Sequence, residues 1–181
     1  EGGSNLKRIE DEAFRQCENL EKVDFGDALE YIGNEAFLWC HSLKNVAFGT
    51  NLRSIGDSAF QGCHDLVTLN IPSSVTTLGI ASFQSCENLT SITIGAQNIG
   101  QWQNVLEISD YAFYNCNNLK TASIYGARGI LMRVFEGCVN LEEVVIGEGL
   151  KFIGYRAFYG CKKLKRVTLP SSIEEIQGVD A

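Results

Sequence analysis

Ala59-Phe60-Gln61-Gly62-Cys63-His64-Asp65-Leu66-Val67-Thr68-Leu69-Asn70-Ile71 contains the pattern that decides the fold: Ala-Phe-x-x-Cys-x-x-Leu, then an alternating apolar tail. The pattern occurs seven times. Its aromatic position is held by Phe14, Phe37, Phe60, Phe83, Phe113, Phe135 and Phe158, with a Cys three residues after each and a Leu three residues after each Cys. The Phe-to-Phe spacings are 23, 23, 23, 30, 22 and 23 residues. A fixed period in this range marks a stacked repeat array, in which each unit touches its neighbours and the whole behaves as one elongated domain. The reading is therefore one array over residues 1–181, with about seven units between 9 and 175, partial units at both ends and an insertion near 95–107.

Within one unit, Phe and Cys at i and i+3, entered behind Asp or Asn and left near Gly, predict one or two helical turns. Asp11, Asn34, Asp57 and Asp110 stand where N-caps would. Leu69 and Ile71 alternate with Thr68 and Asn70, the period of two expected of a short strand with one face inward. Gly26, Gly49, Pro72, Gly95, Gly147 and Pro170 then stop the strands. Strand and crossover repeated in register give parallel pairing, so the strands are expected to stack about 4.8 Å apart into one sheet. Ladders of Phe, Leu, Ile and Cys fill the interior.

The net charge of −7, from 15 Lys+Arg against 22 Asp+Glu, speaks against nucleic acid and anionic membrane surfaces, both of which call for a basic stripe. No apolar run approaches the roughly 18–20 residues of a membrane span, so no membrane insertion is expected of this segment. Asn5-Leu6-Lys7-Arg8-Ile9 matches the middle of a unit, and Ile173 and Ile176 begin an eighth, so both ends read as parts of a longer array. The seven Cys all occupy one frame position. Successive thiols point the same way, which suits a buried ladder of free Cys and not disulfides. Without a Cys-x-x-Cys, a zinc site has no support, and no metal or other cofactor is expected.

Ile-x-x-x-Ala-Phe-x-x-Cys-x-x-Leu-x-x-Val/Ile-x-Ile-Pro-Ser-Ser, carried by Ile55–Val75 and again by Ala157–Leu164 with Leu169-Pro170-Ser171-Ser172, resembles the BspA-like class of leucine-rich repeats. The match runs from about Leu6 to Ile176. Ser82 and Val134 replace the Ala, and Ala122 replaces the strand Val. The resemblance implies an α/β fold, a right-handed leucine-rich repeat solenoid with a parallel concave β-sheet and short helical turns on the convex side. It also implies a cell-surface or secreted protein that binds host or neighbouring-cell proteins, and it carries over no catalytic residue.

Candidate binding positions are those that vary around the scaffold. Along the outward strand face stand Asn45, Thr68, Asn70, Ser91, Thr93, Thr121 and Ser123, neutral through the middle units, with charges at the two ends. They read either as a hydrogen-bonding face for a protein or glycan or as residues that simply suit exposed strands. The insertion brings Trp102, either an interface anchor or a cover for the array's own core, and Tyr125 stands beside it where other units have Gly or Pro. Leu38-Trp39 offers a contact patch or packs under the neighbouring turn, and His41 and His64 share a frame position in adjacent units. Asn88-Leu89-Thr90 matches a glycosylation acceptor, with its Asn next to a core Leu.

No nucleophile elbow, phosphate-binding loop or His-Glu-x-x-His is present. A repeat array makes ladders of like residues, whereas catalysis needs unlike residues converging in a cavity. The expectation is a non-enzymatic interaction or adhesion module with a protein or glycan partner. Alternatives are a structural spacer without a ligand, or an accessory module of a glycan-active surface enzyme.

Overall fold

The computed structural model describes residues 5–97 and 106–178. Each unit contributes two strands. The longer set comprises β2 (Lys22–Asp24), β4 (Asn45–Ala47), β6 (Thr68–Ile71), β8 (Ser91–Ile94), β10 (Thr121–Ile124), β12 (Glu143–Ile146) and β14 (Arg166–Thr168). The shorter set comprises β1 (Arg8–Ile9), β3 (Tyr31–Ile32), β5 (Ser54–Ile55), β7 (Thr77–Leu78), β9 (Leu106–Ile108), β11 (Ala127–Ile130), β13 (Phe152–Ile153) and β15 (Glu175–Ile176). All pairing is parallel, and it is in frame except for a register shift between Ala127 and Gly129 where β11 meets β9: Leu69 lies opposite Ile92, Ile92 opposite Ala122, and Ala122 opposite Val144. The longer set forms a five-stranded sheet, β14-β12-β10-β8-β6, and a two-stranded one, β2-β4. The shorter set forms a continuous eight-stranded sheet. The expectation of one sheet per array is thus corrected to two strand sets. The second, mostly two residues long, is too brief for alternation to reveal it in sequence.

The helical turns are not there: among the described residues there is no helix. The Ala-Phe-x-x-Cys segment is a chain of tight turns in which the residues two before and two after each Phe lie in the left-handed region. In the first three units these are Glu12 and Gln16 (φ 58° and 60°), Glu35 and Trp39 (54° and 61°), and Ser58 and Gly62 (52° and 72°). Returning to positive φ within every unit prevents the consecutive right-handed residues that a helix needs. The hydrogen bonding follows. The Cys63 N–H donates within its own unit to Phe60 O (3.3 Å), while the Phe60 N–H donates along the array to Ser82 O (2.8 Å). The same axial bond joins Phe14 to Ala36 O, Phe37 to Ala59 O and Phe83 to Ala112 O. The turns therefore form a third ladder of backbone bonds, which leaves few buried N–H groups unpaired.

The presumed N-caps serve this ladder too. Asp11 Oδ1 accepts the Asn34 N–H (2.7 Å), Asn34 Oδ1 the Asp57 N–H (2.8 Å), Asp57 Oδ1 the Ile80 N–H (2.7 Å) and Asp110 Oδ1 the Met132 N–H (2.9 Å). With no helix below them to cap, these side chains reach one unit onward.

Inside, the Phe rings stack with centroids 5.0–5.5 Å apart and planes within 7°. Phe83 and Phe113 keep this geometry, 5.5 Å and 6°, across the 30-residue spacing, so the added residues leave the core frame intact. The thiols form the expected ladder: Cys40, Cys63, Cys86, Cys116 and Cys138 are buried and free, Cys161 is half-buried and Cys17 exposed. Each interior S–H points at the Phe carbonyl of the preceding unit, as in Cys63 Sγ to Phe37 O at 3.4 Å and Cys116 Sγ to Phe83 O at 3.2 Å.

Ser82 breaks the Ala ladder of Ala36, Ala59, Ala112 and Ala157. It is 0% exposed and its Oγ has no hydrogen-bond partner among the described residues. A buried hydroxyl without a partner loses hydration for nothing. Ser82→Ala is expected to raise stability by about 1 kcal/mol, read as a higher urea midpoint at unchanged slope; a lower midpoint would show that the hydroxyl is engaged.

Candidate interaction face

The outward side chains of the longer strands fall into two axial rows. One row runs Lys22, Asn45 and, in the five-stranded sheet, Thr68, Ser91, Thr121, Glu143 and Arg166. The other runs Asp24, Ala47 and then Asn70, Thr93, Ser123, Val145 and Thr168. Pleating sends these outward because Leu69, Ile71, Ile92, Ile94, Ala122 and Ile124 turn inward and are buried. Asn45, Thr68, Asn70 and Thr121 are exposed, while Ser91, Thr93 and Ser123 are half-buried, shouldered by strands on both sides. Thr68, Ser91 and Thr121 are direct neighbours, as are Asn70, Thr93 and Ser123. The structure thus brings six of the sequence-derived candidates onto one surface, with Asn45 beside them on β4.

Among the described residues, no side chain of Asn45, Thr68, Asn70, Ser91, Thr93, Thr121 or Ser123 makes a hydrogen bond within the protein. Elsewhere, surface hydroxyls and amides are used to tie units together. Thr50 binds Asp27, Thr76 binds Arg53 O, Thr90 binds Val67 O, Asn140 binds Asn117 O and Ser171 binds Glu148. The N–H and hydroxyl of Thr50 hold the Asp27 carboxyl below its usual range, and the backbone N–H of Ser171 does the same for Glu148. The middle of the two rows, from Thr68 to Thr121 and from Asn70 to Ser123, is therefore a patch of neutral donors and acceptors without internal partners among the described residues. At one end Glu143 and Arg166 face each other at 3.5 Å.

Tyr125 lies at the strand end and is half-buried between two glycines. A Cβ at Gly95 would come within 2.4 Å of Tyr125 O, and one at Gly147 within 2.7 Å of its ring. Gly147 thus makes room for the ring, and Gly95 for the close approach of the Tyr125 backbone carbonyl. Trp102 lies outside the described residues, as does the rest of segment 98–105.

Leu38 is buried, whereas Trp39 is 38% exposed. Its indole lies over Gly62, where a Cβ would come within 2.7 Å of Cδ1, and carries the Arg15 guanidinium 5.5 Å from its ring. Arg15 also pairs with Glu12 (3.0 Å) and Glu35. His41 and His64 stack at 4.6 Å, and His41 Nδ1 lies 3.0 Å from Gly62 O. Among the described residues no three His, Cys, Asp or Glu side chains converge as metal ligands. In the glycosylation pattern, Asn88 donates to Asp65 (3.4 Å) and the Thr90 hydroxyl to Val67 O (3.0 Å), so both polar residues are tied to the preceding unit.

The chain is similar to a leucine-rich repeat protein of T. pallidum, at 25% identity and a TM-score of 0.75 over 88% of this chain and 72% of that one. A leucine-rich repeat protein of Eubacterium ventriosum shares the fold, at 24% identity and a TM-score of 0.75, over 87% of this chain and 41% of that one. The pneumococcal vaccine antigen PcpA aligns at 26% identity with a TM-score of 0.58, covering 98% of this chain and 51% of its own. The chain spans about half the length or less of the last two. No curated protein matches it. The BspA type leucine-rich repeat region is matched in six copies, over residues 7–126 and 97–179. With the family pattern covering nearly every unit and the same solenoid found in bacterial leucine-rich repeat proteins, this chain belongs to the BspA-type leucine-rich repeat family.

Proposed function

We propose that the chain is a non-catalytic interaction module of a cell-surface or secreted protein, binding a protein or glycan through the outward face of its longer strands. In the family's solenoid this face is the concave one. The observation that carries the reading is the pair of axial rows Thr68-Ser91-Thr121 and Asn70-Thr93-Ser123, whose polar groups have no internal partners among the described residues although hydroxyls elsewhere bind the preceding unit. Such groups, held on a rigid sheet at the strand spacing, can meet the backbone of an extended peptide or the hydroxyls of a sugar without prior reorganisation. The surface assignment is supported by the likeness to a vaccine antigen, since an antigen must be reachable by antibody.

The test is a screen of the protein against extracellular-matrix proteins and a glycan array, repeated with Asn70→Arg/Thr93→Arg. The double variant places two bulky cations at the centre of the face and is expected to weaken binding at least about tenfold with unchanged folding. Undiminished binding would remove the face from the site, and a screen without any ligand would favour the spacer reading. Trp102, in the inserted segment, belongs to the same proposal. Trp102→Ala is measured alongside, and unchanged binding excludes it.

A further inference from the structure

The turn ladder carries a second surface, on a different side of the unit from the strand face. In units two to four the positions three and two before each Phe and one after it hold no aromatic residue: Asn34, Glu35 and buried Leu38, then Asp57, Ser58 and Gln61, then Ile80, Ala81 and Gln84. In the last three units the same positions become Asp110, Tyr111 and Tyr114, then Met132, Arg133 and Glu136 (the last two paired at 3.5 Å), then Tyr155, Arg156 and Tyr159. Four of the chain's six Tyr gather there. Tyr111 and Tyr114 meet edge to face at 5.6 Å, and Arg133 sits 5.6 Å over the Tyr111 ring. Arg156 is shared between the rings of Tyr155 (5.2 Å) and Tyr159 (4.9 Å). Axial backbone bonds fix the spacing of the three units, from Tyr111 N–H to Met132 O and from Arg133 N–H to Tyr155 O.

The fold does not ask for these residues. Tyr111, Arg133 and Arg156 occupy the left-handed position (φ 60°, 56° and 54°) that Ser58 and Ala81 hold in earlier units, and bulky side chains are uncommon there. Arg156 has no carboxylate partner among the described residues, and its Nε is buried without a hydrogen bond. Tyr159 is 51% exposed. Tyr, Arg and Met in one patch is the composition of protein-binding surfaces.

The charge around the patch indicates what fits it. The chain carries −7 overall, yet residues 149–173 hold six Lys and Arg and no Asp or Glu. Lys151, Lys165 and Arg166 are paired with Glu174, Glu142 and Glu143, while Arg156, Lys162 and Lys163 have no ion-pair partner among the described residues. We infer that the turn face of the last three units is a docking surface for an acidic protein segment, whose carboxylates meet Arg156 and Lys163 while its apolar side chains lie on Tyr155 and Tyr159. The Arg156 guanidinium, held at two rings and without an ion pair among the described residues, can turn its terminal nitrogens to a carboxylate, and the rings supply the apolar contact that a bare polyanion cannot use.

The probe is a fluorescein-labelled peptide of mixed Glu and Leu, followed by anisotropy at low and physiological salt. A peptide with Lys in place of Glu and heparin serve as comparisons. Saturable binding of the Glu peptide alone among the two peptides is expected. It should fall about tenfold or more in Lys163→Glu, an exposed site, and in Arg156→Glu. Tyr159→Ala should weaken the peptide and leave heparin unchanged, while Asn70→Arg/Thr93→Arg should leave the peptide unchanged, separating this surface from the strand face. Absence of peptide binding, indifference to Lys163→Glu, or heparin binding tighter than the peptide with no effect of Tyr159→Ala would each overturn the inference.

Discussion

Phe60→Ala is expected to destabilise the array by about 4 kcal/mol, the upper part of the range for truncating a buried aromatic. Phe60 is wholly buried, stacked on Phe37 at 5.0 Å and Phe83 at 5.1 Å, with Phe48 edge-on at 5.8 Å. Its removal therefore breaks two stacks and an edge contact, each worth roughly 0.5–1.5 kcal/mol beyond area burial. The cavity cannot collapse, because the axial bond from Phe60 N–H to Ser82 O and its equivalents hold the neighbouring backbones apart. Phe14 is a natural comparison: it is 41% exposed and stacks on Phe37 alone, so Phe14→Ala should cost less than half as much. Asn70→Ala, on an exposed side chain without a partner, should stay within about 0.5 kcal/mol. Urea unfolding of the three variants checks the order, and coincident midpoints for Phe60→Ala and Asn70→Ala would refute the Phe ladder as the main term. Because units communicate only through neighbours, Phe60→Ala should also lower the cooperativity of the transition.

What could be read in advance followed from burial. Phe, Cys and Leu recur because every unit buries the same contacts, and the alternation at Leu69-Asn70-Ile71 fixes which side chains face out. The turn segment misled because Phe and Cys at i and i+3 fit a helical turn and a chain of i→i−3 turns equally well. Gly62, Gly137 and Gly160 two residues after Phe were the available signal for left-handed backbone, but Gln16, Trp39 and Ser85 occupy the same position and obscure it. Asp57 looked like an N-cap because caps and inter-unit bonds use the same oxygen. The engagement of a hydroxyl was also beyond the sequence: Thr90 binds the preceding unit and Thr93, three residues on, does not. The seat of Tyr125 depends on Gly95 at its backbone carbonyl and Gly147 at its ring, far apart in the chain and brought to Tyr125 only once the units stack.

Raising the pH should unfold the protein steeply, because of its thiols. Cys40, Cys63, Cys86, Cys116 and Cys138 are 0% exposed, and burial pushes each above the ordinary thiol value, Cys40 to about 11 and the others in the same direction. Half-buried Cys161 is raised to about 12 for the same reason. Ionisation would strand a charge in the core, end the S–H donation to the preceding Phe carbonyl, and place the thiolate against that carbonyl's oxygen and the next sulfur in the ladder. A folded pKa above the unfolded one gives stability that is complete below the unfolded value of about 8.5 and is lost as pH rises beyond it. Each withheld thiol contributes a slope approaching 1.36 kcal/mol per pH unit, so the five buried ones together approach roughly 7 kcal/mol per unit. The window from about 8.5 to 9.5 is therefore where an unfolded thiol ionises and a buried one does not. Under reducing conditions, unfolding free energy from urea titrations should hold steady from pH 7 to 8 and fall by several kcal/mol by pH 9.5. Replacing Cys63, Cys86 and Cys116 by Ala should lower stability at pH 7 while flattening that slope by about 4 kcal/mol per unit, the share of three thiols. A native-state thiol assay at pH 8 should find Cys17, the one exposed thiol, reacting ahead of the rest. A flat pH profile, or seven thiols reacting together, would show that the ladder is open to water and that the packing argued from Phe60 does not hold.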